Sequence, residues 1–396
     1  MMMGSTSIKE GFTKLMEYCE KESFKGYDPF DGLNSKLFLL FPFAKRSSLF
    51  KLIWIQFFKR SPINFRKISG IRKEYNPKGL GLFLSGYCNL YKTNPTPEIL
   101  DKIKFLIEQI YANQSDGYSG KCWGYNFDWQ AKAFFQKKGT PSVVVTSFVG
   151  CALIDAYEVT KDNNLLEIAR SACSFILTDL NRTYSTEGDY SFSYSPVDHT
   201  QVFNASLLGA RLLCRTYFHT HEPHLIEESR KVVSFACKHQ QESGAWAYSP
   251  LPCHQWVDNF HTGYNLECLY TYQLVSGDKT FRQNLEKGTD YYLNTFFEDS
   301  GLPKYYNNNR YPIDMHTTAQ LIVTLSKLNL MGENKKLADK VLAWSFDNMF
   351  DQKKGYFYYY KEKYFIIKIP YMRWTQAWMF LGLSHYLLFE NKNTHI

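Results

Sequence analysis

Ten histidines occur in the 396 residues, and three of them follow an aspartate at the head of an apolar stretch. The runs are Asp258-Asn259-Phe260-His261-Thr262, Asp314-Met315-His316-Thr317 and the looser Asp198-His199-Thr200. An aspartate before a helix has an ordinary job, accepting the orphan N–H groups of the first turn. Asp198, Asp258 and Asp314 are all placed for it. Histidine caps less well, and its protonated form is disfavoured at the positive end of a helix. Three histidines at matching loop ends therefore point to chemistry, and proton transfer near neutral pH is what imidazole does best. Tyr194 offers a second acid–base group and Arg373 a fixed positive charge for a developing anion. No HxH or HxxxH spacing links His199, His261 and His316, so neither a metal nor a cofactor is expected. Around these catalytic candidates stand residues suited to holding a substrate: Trp123, Tyr125, Asp128, Trp246, Tyr248, Trp256, Asn259, Lys304, Asp314 and Trp374.

Residues so far apart meet only if the chain brings equivalent loops to one place, and a repeat does that. Gly117, Gly188, Gly244, Gly301 and Gly355 each open an aromatic-rich stretch, then a polar loop, then an apolar helix. The later steps, 188 to 244, 244 to 301 and 301 to 355, are 56, 57 and 54 residues; the first, 117 to 188, is 71 because 126–141 carries an insertion. A near-fixed period means one supersecondary unit stacked repeatedly. Apolar helices are predicted from about 77, 142, 200, 260, 315 and 372, and charged amphipathic ones near 98–113, 163–180, 223–240, 278–297 and 334–350. A helix apolar on most sides lies between other helices, and an amphipathic one faces water. With 8–20 or part of 36–68 as the missing partner, the chain is an all-α (α/α)6 toroid at 75–396, behind an N-terminal extension at 1–74. Every glycine loop then runs from an outer to an inner helix and opens on the same rim.

Composition narrows the function classes. Hydrophobic residues at 44% and charged at 21% describe a globular chain with ample core, while aromatics at 17% exceed what a core needs. Aromatic rings in polar loops suit stacking on sugar rings. The net charge of +8 comes with no nucleic-acid motif, so no nucleic-acid partner is expected. Nine cysteines without CxxC pairs suggest a reducing compartment. The start MMMGSTSIKEGFTK lacks an apolar core for secretion, and no run reaches membrane-spanning length, which together predict a cytoplasmic protein. The stretch 36–68 interleaves eight Lys or Arg residues with Trp54 and many Phe and Leu, the composition of an interfacial helix. Peripheral contact with the inner face of a membrane is one expectation for it; ordinary packing on the toroid is the other.

The Gly–aromatic–loop–inner-helix repeat resembles the six-hairpin glycosidase-like toroids, a superfamily of glycoside hydrolases, unsaturated uronyl hydrolases, polysaccharide lyases and sugar epimerases. Lys59-Arg60-Ser61-Pro62-Ile63-Asn64 and Asn76-Pro77-Lys78-Gly79-Leu80 are further similar to proteins of bacterial surface-polysaccharide loci. The resemblance implies a carbohydrate-active protein of polysaccharide metabolism whose partner is a glycan or lipid-linked saccharide. Proton abstraction from a uronate, by a lyase or epimerase, would use His261 or His316 with Tyr194, Asn259 and Arg373. Hydrolysis would instead need two carboxylates across the bond, drawn from Asp128, Asp198, Asp258 and Asp314. A toroid that binds a glycan or scaffolds a complex without catalysis is the third reading.

Overall fold

A computed structural model describes residues 5–42, 44–132 and 134–394. Its helices are α1 (Ser5–Lys21), α2 (Lys36–Leu39), α3 (Ser48–Arg60), α4 (Pro77–Thr93), α5 (Pro97–Ala112), α6 (Val143–Thr160), α7 (Asn163–Asp179), α8 (Phe203–Thr220), α9 (Pro223–Lys238), α10 (Asn259–Ser276), α11 (Arg282–Thr295), α12 (Met315–Lys327), α13 (Lys335–Met349) and α14 (Ala377–Thr394). The even-numbered members from α4 to α14 pack side by side in chain order, and α14 returns to α4. That closes an inner ring of six. Helices α5, α7, α9, α11 and α13 lie outside it, and α1 takes the sixth outer place against α14. The chain is therefore an (α/α)6 toroid. Helix α6 is long and apolar enough to cross a membrane, but 78% of it is buried inside the ring.

The repeat has a local cause. All five repeated glycines adopt positive φ, between 74° and 93°, a region costly for any residue with a Cβ. At Gly244 an added Cβ would also lie 2.3 Å from the Lys287 carbonyl oxygen of α11, so the turn packs directly on the next outer helix. After two of these turns a tryptophan drives into the core. Trp123 and Trp246 are buried and donate their indole N–H to the carbonyls of Ile110 and Ala236, each at 2.9 Å, tying loop to preceding helix.

One core runs through the ring and takes in Ile8, Phe12, Leu15 and Cys19 of α1. The expected boundary at 74/75 thus needs correction, because α1 belongs to the toroid. What remains of the extension, between α1 and α4, lies beside the rim. It is pinned by Arg66, fully buried, whose Nε donates to Asp31 at 2.7 Å and whose Nη2 donates to the Asp28 carbonyl at 2.9 Å. A small satellite core of Leu33, Phe38 and Ile55 joins it to the hairpin formed by Trp129–Gln130 and Phe135–Gln136, inside the long insertion. The nine cysteines stand unpaired, eight of them buried.

Candidate active site

The inner helices all begin at the rim, and side-chain caps hold four of those beginnings. Asn76 caps α4, Ser142 caps α6, Asp258 caps α10 and Asp314 caps α12. A cavity of about 310 Å³ opens there, over the ring's axis. The insertion hairpin forms one wall and α3 another, through Leu52, Gln56 and Lys59. Among the described residues, no Asp or Glu lines this cavity, whereas Lys59, Lys78, Lys132 and Arg373 do. The positive ends of the inner-helix dipoles add to the same sign.

Asp258 does more than cap. One oxygen accepts the backbone N–H of His261 at 3.0 Å; the other pairs with His261 Nδ1 at 2.7 Å and accepts the Trp256 indole N–H at 3.2 Å. The carboxylate is almost fully buried, while the imidazole is partly exposed in the cavity wall. A carboxylate on Nδ1 fixes the tautomer and leaves Nε2 as the free nitrogen. Tyr264, three residues further along α10, brings its ring centre to 5.9 Å from that of His261 and 6.0 Å from that of His316.

His316 is enclosed. It stacks between Phe260 and Trp378 at ring separations of 4.3 and 4.2 Å, and its Nε2 meets the Tyr264 hydroxyl at 2.8 Å. Its Nδ1 is buried with no hydrogen-bond partner among the described residues. Burial, aided by the charges of Lys78, His261 and Arg373, holds its pKa well below the ordinary histidine value, so it is neutral. Burial likewise lifts the Tyr264 hydroxyl well above the usual phenol range, keeping it protonated. Lys78 reaches the same hydroxyl at 3.5 Å and lies 4.2 Å from the Phe148 ring centre. Burial, then the charge of Arg373, depresses its amine well below the usual lysine range.

Behind the wall, Asp314 accepts the His316 backbone N–H at 2.9 Å and the Trp374 indole N–H at 2.7 Å. It is wholly buried, and that burial pushes its pKa up to about 7. Arg373 and Trp374 sit on one π-helical turn, Met372–Gln376, just ahead of α14. Such turns recur at functional sites. The Arg373 guanidinium pairs with Asp28 through two nitrogens and lies 5.1 Å from the Tyr125 ring centre. Tyr125 and Tyr194 share a hydrogen bond at 3.1 Å, and burial raises both hydroxyls, so neither is an ionised base at neutral pH.

The cavity thus gathers His261, His316, Tyr194, Arg373, Tyr125, Tyr248, Trp256 and Trp374 from the expected set, with Asp258 and Asp314 directly behind. Other expectations need correction. His199 is exposed and outside the cavity. Its neighbour Asp198 caps no helix: it is spent on five hydrogen bonds with the backbone N–H groups of Tyr194, Ser195 and Thr200 and the hydroxyls of Ser195 and Thr200. Helix α8 begins only at Phe203, so this copy of the repeat is out of register with the other two. Trp123 and Trp246 are core residues. Asn259 is fully buried and accepts from Tyr292. Asp128 accepts the Lys138 backbone N–H, and Lys304 is half-buried; neither lines the cavity. Lys78, Tyr264 and His254 are cavity residues that sequence reasoning missed.

No family model matches the sequence, and no curated protein matches it. Solved structures do match in fold. A sugar epimerase from a ruminal bacterium superposes with TM-score 0.62 at 16% identity, over 81% of this chain and 90% of that one. The cellobiose 2-epimerase of Bacillus thermoamylovorans gives 0.62 at 13% identity, again over 81% and 90%. An unsaturated glucuronyl hydrolase specific for heparin gives 0.63 at 12% identity over 99% of this chain and 97% of that one. The architecture these structures share with the chain is the (α/α)6 toroid.

Proposed function

We propose that this protein is a carbohydrate-active enzyme that moves a proton at a sugar carbon of an anionic saccharide, as an epimerase or lyase does. The observation that carries the reading is the Asp258–His261 pair, with Nε2 free in a cavity rimmed by cations and aromatic rings. His261 takes the proton from carbon. The electron pair passes into an adjacent carboxylate or carbonyl, whose growing negative charge Arg373 and the neighbouring lysines stabilise. Reprotonation of that carbon on its opposite face completes an epimerisation; expulsion of the glycosidic oxygen on the next carbon, protonated as it leaves, completes an elimination. Two protonated phenols stand beside His261 as proton donors: Tyr248, with its ring centre 4.9 Å away, and Tyr264, at 5.9 Å and bonded to His316. Trp256 and Tyr248, stacked at 4.7 Å and 18°, form a flat apolar surface of the kind sugar faces pack on. The sugar-directed activities named for the fold neighbours support the carbohydrate reading. Paired-carboxylate hydrolysis is weaker, since none of Asp128, Asp198, Asp258 and Asp314 lines the cavity. We place the reaction in the cytoplasm, on a free or lipid-linked glycan.

The test is solvent exchange. Uronate-containing oligosaccharides and reducing disaccharides are incubated with the protein in deuterium oxide and followed by NMR. Deuterium at a sugar carbon, or a new double bond, is expected from the intact protein and is lost on His261→Ala. Turnover that persists in both His261→Ala and His316→Ala would overturn the site.

A further inference from the structure

From Lys36 to Lys73 the chain holds ten Lys or Arg residues and not one Asp or Glu. The same region is where the molecule leaves its apolar side chains uncovered. Of the sixteen large hydrophobic residues exposed among the described residues, nine fall between Leu37 and Ile68; the rest are scattered along the remaining chain. Single exposed apolar residues are normal, but a cluster of this kind marks an interaction surface. Its members include Leu40 at 72% exposure, Leu49 at 67%, Ile53 at 57% and Ile68 at 81%. Leu37, Ile53, Trp54, Phe57, Phe65 and Ile68 line one continuous apolar groove of about 490 Å³.

Helix α3 explains why the patch stays open. It has three faces, each set by helical spacing. Ile55 and Phe58 are buried against the protein. Leu52, Gln56 and Lys59 line the catalytic cavity. Leu49, Ile53 and Phe57, four residues apart, point outward and are exposed. One face packs on the protein and one borders the cavity; the third, among the described residues, stays largely uncovered, with Phe57 stacked on Phe65 at 5.5 Å. Exposed cations border it: Lys36 beside Leu37, Lys45 and Arg46 in the turn before Leu49, and Lys67 beside Ile68. Three of the basic residues counted in this region act elsewhere, Arg66 in its buried pair with Asp31, Lys73 in an ion pair with Glu22 just after α1 and Lys59 in the cavity wall.

We propose that this face docks on an anionic phospholipid bilayer. The charge complement selects the occupant: apolar side chains ringed by cations, with no acidic residue in the segment, match a surface of negative headgroups over hydrocarbon. An apolar protein partner would not need the cations, and a soluble polyanion would not need the exposed Leu, Ile and Phe. Because the outward face and the cavity face share one helix, docking sets the rim beside the membrane and leaves the cavity open. The docking itself stands apart from the catalytic reading. It rests on that reading only in one consequence, that a bilayer-anchored saccharide would reach the cavity.

Cosedimentation of the full chain with vesicles of phosphatidylglycerol and phosphatidylethanolamine, without any saccharide, is the test. Binding is expected at low salt, with little to phosphatidylcholine vesicles and loss at high salt. Lys45→Ser, Arg46→Ser and Lys67→Ser together should weaken it on the order of 100-fold, at about fivefold per cation. Ile53→Ser with Phe57→Ser should weaken it at least about tenfold, with circular dichroism confirming that the ring still folds. No binding by the intact protein at low salt overturns the proposal. So does binding that ignores Ile53 and Phe57, which would be mere polyanion attraction. A dimer seen by light scattering and broken by the same two changes overturns it as well, because a second copy then covers the face. None of these outcomes bears on deuterium exchange at the sugar, so the two readings fail separately.

Discussion

Replacing Asp258 by Asn removes one charge from the site while leaving its shape, and its effects on folding and on turnover should separate. Asn is as good an N-cap as Asp, so the bond from the His261 backbone N–H is retained and α10 keeps its start. What is lost is the second oxygen, which now holds His261 Nδ1 at 2.7 Å and the Trp256 indole N–H at 3.2 Å. An amide NH2 in that place faces a donor with a donor. The imidazole then favours the other tautomer, with its proton on Nε2 and no base presented to the cavity. Two charge-assisted hydrogen bonds are weakened, a loss of about 1–3 kcal/mol in stability. Loss of general-base catalysis costs about a hundredfold to ten-thousandfold in rate. The assay is deuterium exchange at the sugar carbon, read as kcat and KM across pH, beside urea unfolding of the same preparation. The expected result is a kcat collapse with KM nearly unchanged and the protein folded. Asp198→Asn is the contrast: five buried hydrogen bonds are disturbed, so stability falls, but kcat per folded molecule holds. Asp258→Asn within tenfold of the intact protein would refute the assignment of His261 as base.

Two further outcomes follow from the buried groups. Lys78→Met should raise stability by about 1–2 kcal/mol in urea unfolding, since an amine whose charge is disfavoured by burial gives way to an apolar chain, while turnover of an anionic saccharide falls; parallel losses of both would mean Lys78 is purely structural. Asp314, with a folded pKa near 7 against an ordinary 3.8, binds its proton more tightly folded than unfolded. Its contribution is therefore fully present at low pH and declines as pH rises from about 4 to about 7, on the order of a few kcal/mol. The stability difference between the intact protein and Asp314→Asn should shift by that amount over this window, and a flat difference would contradict the buried, proton-bearing carboxyl.

The toroid was legible because each unit repeats one strained turn, and only glycine takes that turn at so little cost; the period follows from backbone geometry. The sixth outer helix was ambiguous, since residues 8–20 and 36–68 both carry amphipathic signals and only packing against α14 chooses between them. The place of Asp258 and His261 at the rim could be found from sequence because the cap and the proposed base share one first turn. His199 misled, for nothing in Asp198-His199-Thr200 reveals that α8 starts at Phe203. Trp123 and Trp246 misled for a related reason: an aromatic residue after a turn looks the same whether its ring faces the core or the rim. Lys78 did leave a signal. It is the second residue of its helix, as His316 is of α12, and a cation in the first turn of an apolar inner helix is worth asking about. Tyr264 left less, because a tyrosine within a buried helix reads as core.

The last hairpin of the ring is assembled from the two ends of the sequence. Phe12 of α1 meets Phe380 of α14 at a ring separation of 5.1 Å, and Tyr18 meets Tyr356 at 5.0 Å. During synthesis α1 leaves the ribosome well before α14, its partner more than three hundred residues downstream. Until α14 follows, the nascent chain is an open arc with an apolar edge at α4, which has neither its α14 neighbour nor a closed ring to lie in. Contacts of such long sequence separation are slow to form and leave apolar surface uncovered meanwhile. The clasp between first and last helices is thus a timing element of biogenesis: newly made chains should depend on chaperones until the final hairpin closes, and then lose that dependence in one step.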